Sequence, residues 1–147
     1  MKKQSGFTLI ELLLVLAIIG IIAAIAVPAI LGQRDKAKAK AVQSMVANVA
    51  GECARVNDAR KEAGLAATPT DVINAVLALS NYQYPSVKNP YGGSTTPFTG
   101  TAGSGSGVIY LEAQASFADS ATSQSYPAVV IHGYYTGGST QKVVALD

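Results

Sequence analysis

The chain has 147 residues, one domain's worth by length, and is short of charge: 14% charged and 49% apolar residues, against roughly 25% charged in a typical soluble domain. A net charge of +2 excludes electrostatic capture of nucleic acid by the chain as a whole. One cysteine excludes an internal disulfide and a cysteine-cluster zinc site, and one histidine with no tryptophan leaves little for catalytic constellations.

Residues 1–6, MKKQSG, form a short polar and basic leader. Residues 7–30 follow as an apolar helix; at ~1.5 Å per residue it reaches ~36 Å, enough for a bilayer core. No charged residue occurs in 12–33. The block is too long for an ordinary signal-peptide core, Glu11 interrupts it early, and AAIA at 23–26 offers only a weak cleavage site, so it reads as a membrane anchor. Residues 31–63 continue the same helix in amphipathic form. They are rich in Ala, Lys, Arg and Glu, and Val42, Met45, Val46, Val49, Cys53 and Val56 recur at spacings of three or four. Gly64 is the stop, which predicts one helix of roughly 55 residues from Phe7.

Residues 64–107 read as a connection holding a short helix near 68–80. Thr68 caps it, Pro69 suits its first position, Asp71 is a capping-box acid, and Val72, Ile73, Val76 and Leu77 supply an apolar face. From 80 to 107 no helical period is visible, and 92–107 holds six Gly, three Ser and four Thr in 16 positions, a flexible surface loop. Residues 108–147 read as an antiparallel sheet with strands at 108–116, 128–135 and 141–146, the last two joined through 136–140. One face of that sheet is expected to pack on the helix stripe. The fold class is therefore α+β, a long N-terminal helix on a small antiparallel sheet.

Three features at the start carry chemistry. Gly6 and Phe7 join the basic leader to the apolar helix. Glu11 is a carboxylate inside an apolar run, a costly placement in lipid. It either complements the positive helix N-terminus or needs a cation. A cut after Gly6 would free an α-ammonium at Phe7, and such a pair in an apolar setting enforces register because an unpaired member is heavily penalised. A neighbouring copy's amine would reward assembly. Pro28 removes a backbone donor and crowds the carbonyl of Ala24; with Gly20 and Gly32 nearby it marks either a tolerated kink or a segment that unwinds.

The run KKQSG followed by FTLIELLLVLAIIGIIAAIAVPAI closely resembles the N-terminus of class A type IV prepilins and the related pseudopilins. The resemblance covers roughly residues 1–35 and implies the pilin fold. It further implies cleavage after Gly6 by a membrane-embedded prepilin peptidase, N-methylation of Phe7 by the same enzyme, and pairing of Glu11 with the neighbouring subunit's N-terminus. Residues 20–28 resemble the segment that loses helicity in family filaments. Without Lys2 and Lys3 the chain carries nine basic and nine acidic side chains, a neutral subunit that packs densely without self-repulsion.

Departures from the family are equally specific. Many such pilins close a C-terminal loop with a cysteine pair, whereas Cys53 is alone on the helix stripe and reads as a small core residue. Arg34, Lys36, Lys38 and Lys40 lie beyond the anchor on its presumed outer side, against the positive-inside tendency. A solvated basic face, headgroup contacts before assembly and pairing with acids on neighbours are all open. His132 has no Cys, serine-elbow or acid motif around it and reads as a surface or core histidine. Asp71, Asp119 and Asp147 do not form an EF-hand loop. NPYGG at 89–93 faintly resembles a turn in the pseudopilins of type II secretion, whose head loops can bind calcium. The absence of aromatics between Phe7 and Tyr82 gives no support to an electron-conducting chain along a filament core.

Three functions follow. The first is the structural, non-enzymatic subunit of a type IV pilus for motility, adhesion or DNA uptake. It would pass through the inner membrane as a single-span precursor before joining a helical homopolymer at the cell surface. Its partners would be its own copies, the prepilin peptidase and N-methyltransferase, the inner-membrane assembly platform and a motor ATPase. Catalytic, cofactor and metal sites and direct nucleic-acid contacts are not expected. The second is a major pseudopilin of a type II secretion system, the one reading that brings calcium. The third is a membrane-anchored receptor or enzyme that forms no filament.

Overall fold

The computed structural model describes residues 7–83, 88–92, 98–100 and 105–146. In chain order these form α1 (Leu9–Glu62), α2 (Pro69–Gln83), β1 (Phe98–Thr99), β2 (Ile109–Ala118), β3 (Ser125–Tyr135) and β4 (Gly138–Ala145). Two compact units result, one ending at Lys36 and one spanning Ala37–Asp147.

Helix α1 runs 54 residues and passes through Pro28 without a break. It starts at Leu9, two residues later than expected, because Thr8 stands outside it as the cap. Its end is a Schellman motif. The Leu65 N–H donates to the Arg60 carbonyl (2.9 Å), the Gly64 N–H donates to the Lys61 carbonyl (3.0 Å), and Gly64 adopts φ 68°, the left-handed region open to glycine. Helix α2 repeats the capping device read from its sequence. Thr68 Oγ1 and Asp71 Oδ2 lie 2.6 Å apart, and the Asp71 N–H donates to Thr68 Oγ1 at 3.3 Å. The helix runs to Gln83, past the expected 80, since no helix breaker stands before Pro85.

The four strands form one sheet in the order β1-β2-β3-β4. The pairs β2 with β3 and β3 with β4 are antiparallel, as expected. Strand β1 corrects two expectations. It lies inside the supposed loop, and it pairs with β2 in parallel, Phe98 opposite Ile109. Two residues carry no periodicity; β1 exists because Phe98 packs on the core and places its backbone beside β2. Most of the remaining loop, 93–97 and 101–104, lies outside the described residues.

In the second unit, Val46, Val49, Ala50, Cys53 and Val56 of α1 pack with Val72, Ile73 and Val76 of α2 and with Ile109, Leu111, Val129, Ile131 and Leu146. Met45 is packed against this core rather than buried in it. Strand β3 departs from simple alternation: Ala128, Val129, Val130 and Ile131 are all fully buried, so this central strand is covered on both faces. At Gly133 the absent side chain sets a distance. A Cβ there would lie 2.5 Å from Val46 Cγ2 and 2.9 Å from Val42 Cγ1. Glycine thus lets α1 and β3 approach closely.

Candidate functional site

Of the chemistry-bearing residues of the first unit, Glu11 and Pro28 sit on one apolar helix. Fifteen large apolar side chains from Leu9 to Leu31 are exposed, Leu9 at 81% and Ile25 at 75% among them. Among the described residues, α1 is the one helix long and apolar enough to cross a membrane. Soluble chains rarely leave an apolar surface of that extent uncovered.

At its start, Thr8 and Glu11 form a reciprocal capping box. Glu11 Oε2 accepts from the Thr8 N–H (3.0 Å) and the Thr8 hydroxyl (2.8 Å), and the Glu11 N–H faces Thr8 Oγ1 at 3.4 Å. The carboxylate therefore satisfies an otherwise orphaned backbone donor and sits where the helix dipole favours negative charge. Thr8 is absent from the sequence expectations. The signal was present, since T-L-I-E has the same spacing as the capping box read at Thr68 and Asp71. Phe7 is 85% exposed and precedes the helix. Gly6 lies outside the described residues. Pro28 stands 17 residues beyond Glu11, or ~26 Å along the axis, so these two residues do not meet.

The second unit accounts for the other singled-out residues. Cys53 is fully buried; burial, with the Glu52 charge as a smaller influence, pushes its thiol up to about 12. His132 is half-buried on β3, stacked against Tyr110 (5.5 Å) and Tyr134 (6.5 Å), with Nε2 3.1 Å from Glu112 Oε2. Asp119 organises the turn between β2 and β3. Its carboxylate accepts from the Ala121 N–H at 2.9 Å and the Thr122 hydroxyl at 2.7 Å, and these bonds hold it below the usual carboxylate range. Within NPYG, Asn89 Oδ1 accepts from the Tyr91 N–H (2.8 Å), Asn89 Nδ2 donates to the Ser106 carbonyl (3.0 Å), and the Lys38 ammonium lies 5.2 Å from the Tyr91 ring centre. Among the described residues no three His, Cys, Asp or Glu side chains cluster as metal ligands.

Comparison with known proteins adds three findings. A family model, the prokaryotic N-terminal methylation motif, matches residues 1–27. The type IV narrow pilus major component PilA5 of Thermus thermophilus is 35% identical over 113 residues, covering 77% of this chain and 83% of that protein. Type II secretion system core protein G of Vibrio cholerae is 50% identical over 48 residues, 32% of this chain and 33% of that protein, and a fimbrial protein of Pseudomonas aeruginosa is 75% identical over 28 residues, 19% of this chain and 18% of that protein. The chain thus spans about a third of the length of the secretion relatives it matches. No solved structure matches it.

Proposed function

The chain belongs to the type IV pilin family, and from that premise we propose that it is the structural subunit of a type IV pilus. The observation that carries this reading is the uncovered apolar surface from Leu9 to Leu31. Lipid covers it in the precursor, and neighbouring copies of the same helix cover it in the filament.

Moving a helix from lipid into a bundle of like helices changes its apolar surroundings little, so the hydrophobic effect provides weak discrimination between registers. A polar pair must provide it. The prepilin peptidase cleaves after Gly6 and N-methylates Phe7, and the freed amine of one subunit pairs with Glu11 of its neighbour. In the isolated chain both Thr8 bonds go to Glu11 Oε2, which leaves Oε1 for that incoming cation. Residues 20–28, interrupted by Gly20 and Pro28, are where the helix gives up backbone bonds as subunits pack. The inner-membrane platform and a motor ATPase drive insertion and retraction. Motility, adhesion and DNA uptake belong to the whole filament. No cofactor enters this reading.

Mass spectrometry and electron microscopy of sheared surface fibres test it together. Subunits beginning at N-methylated Phe7 are expected, and Gly6→Ala blocks maturation. Fibres whose subunits retain the first six residues would refute it. A second reading, a major pseudopilin, draws on the 50% identity to core protein G and on the NPYGG turn. It predicts a calcium-dependent head and a chain that supports protein secretion without building long surface fibres.

A further inference from the structure

Arg34 and Lys36 stand three and five residues beyond Leu31, the last exposed large apolar residue of the first unit. The run 9–31 spans ~34 Å along the helix axis, against ~30 Å for a bilayer core, so both cations emerge at headgroup depth. Both are exposed, and neither has an ion-pair partner among the described residues. Farther along the helix Lys38 lies over the Tyr91 ring at 5.2 Å, Arg55 pairs with Glu52 at 2.5 Å and Arg60 with Asp71 at 3.9 Å, while Lys40, exposed and without an ion pair among the described residues, stands ~6 Å farther from the apolar run than Lys36. Two positions on a helix differ by about 200°, so Arg34 and Lys36 point to nearly opposite sides of α1, with Asp35 about 100° from each. A single flat neighbour cannot face both. A layer that surrounds the helix with anions can.

We propose that Arg34 and Lys36 bind anionic phospholipid headgroups of the outer leaflet, forming a collar that sets how deep the precursor sits before assembly. This rests on the membrane-held precursor proposed above. Long cationic side chains reach headgroup phosphates while their stems remain along apolar surface. Each cation near an anionic surface contributes a factor of roughly five in association. The collar also supplies a depth stop opposite Glu11, which lies ~3 Å inside the other end of the apolar run.

The test reconstitutes the full chain in phosphatidylcholine vesicles and measures, by electron spin resonance, the relative association of spin-labelled phosphatidylglycerol and spin-labelled phosphatidylcholine. With the leader's cations removed by Lys2→Gln/Lys3→Gln, the expected result is a preference for the anionic lipid of roughly five-fold at each cation, reduced toward one when Arg34→Gln/Lys36→Gln is added and screened by high salt. A preference left unchanged when Arg34→Gln/Lys36→Gln is added overturns the inference. Carbodiimide cross-links from Lys36 to a carboxylate of a second copy, with no headgroup preference, overturn it in favour of that neighbour. A chain that alkaline carbonate washes from the vesicles overturns the membrane-held reading and this inference with it. A retained chain without headgroup preference overturns this inference alone.

Discussion

Gly133→Ala places a methyl group where the structure has no room. Its Cβ would stand 2.5 Å from Val46 Cγ2, 2.9 Å from Val42 Cγ1 and 3.0 Å from Thr140 Cγ2. Rotation of Val46 gives little relief, because valine in a helix holds one dominant rotamer, and Val42 approaches from the next turn. Overpacking of this kind costs about 1–3 kcal/mol, and alanine's smaller chain entropy loss offsets roughly 0.5–1 kcal/mol of it. A net loss of about 1 kcal/mol lowers the melting temperature of a unit of ~110 residues by roughly 5 °C. All seven tyrosines lie at position 82 or beyond, so the tyrosine near-ultraviolet circular dichroism of the full chain in detergent reports the second unit alone. Val46→Ala by itself loses about 2 kcal/mol through two missing methyl groups and the space they leave. Combined, the two changes relieve one another, and the double variant falls short of additivity by at least ~1 kcal/mol. A neutral Gly133→Ala, or strictly additive losses, would refute the claim that glycine sets the distance between α1 and β3.

Glu11→Ala leaves a processed, membrane-held subunit that forms no fibres; normal fibres seen by electron microscopy would remove Glu11 from the control of register. The Cys53 thiol, buried and pushed up to about 12, reacts with a disulfide reagent near pH 8 far more slowly in the folded chain than in urea, and equal rates would contradict its burial. Asp119 is held below the usual carboxylate range when folded. Its hydrogen bonds therefore support the turn at neutral pH and are lost as pH falls through the folded value; Asp119→Asn should flatten that acid response in amide exchange of residues 121–124.

Helix α1, the Thr68 cap, the Gly64 stop and the three long strands were legible in the sequence, because each depends on contacts between residues close along the chain. Apolar spacing marks a helix face, a hydroxyl three residues before an acid marks a cap, and glycine marks a left-handed stop. The start of the candidate site was legible for the same reason. Gly6, Phe7 and Glu11 form a short linear pattern, and the capping role of Thr8 was written there in the same local code. Position along the chain alone also placed Arg34 and Lys36 just past the apolar run.

Pairing across the chain was not legible. Strand β1 is two residues long and exists because β2 accepts it. Whether β3 is covered on one face or both depends on its central place in the sheet, which no alternation within β3 records. Gly133 reads as an unremarkable glycine until α1 is laid against it, and His132 as a lone imidazole until Tyr110 and Glu112 are brought from β2. Local hydrogen bonding and periodicity are properties of neighbouring residues, so the order of amino acids was enough to give the helices, caps and apolar span. Close packing is a property of surfaces distant along the chain, so the tertiary structure alone decided which strand is central and where a side chain has no room.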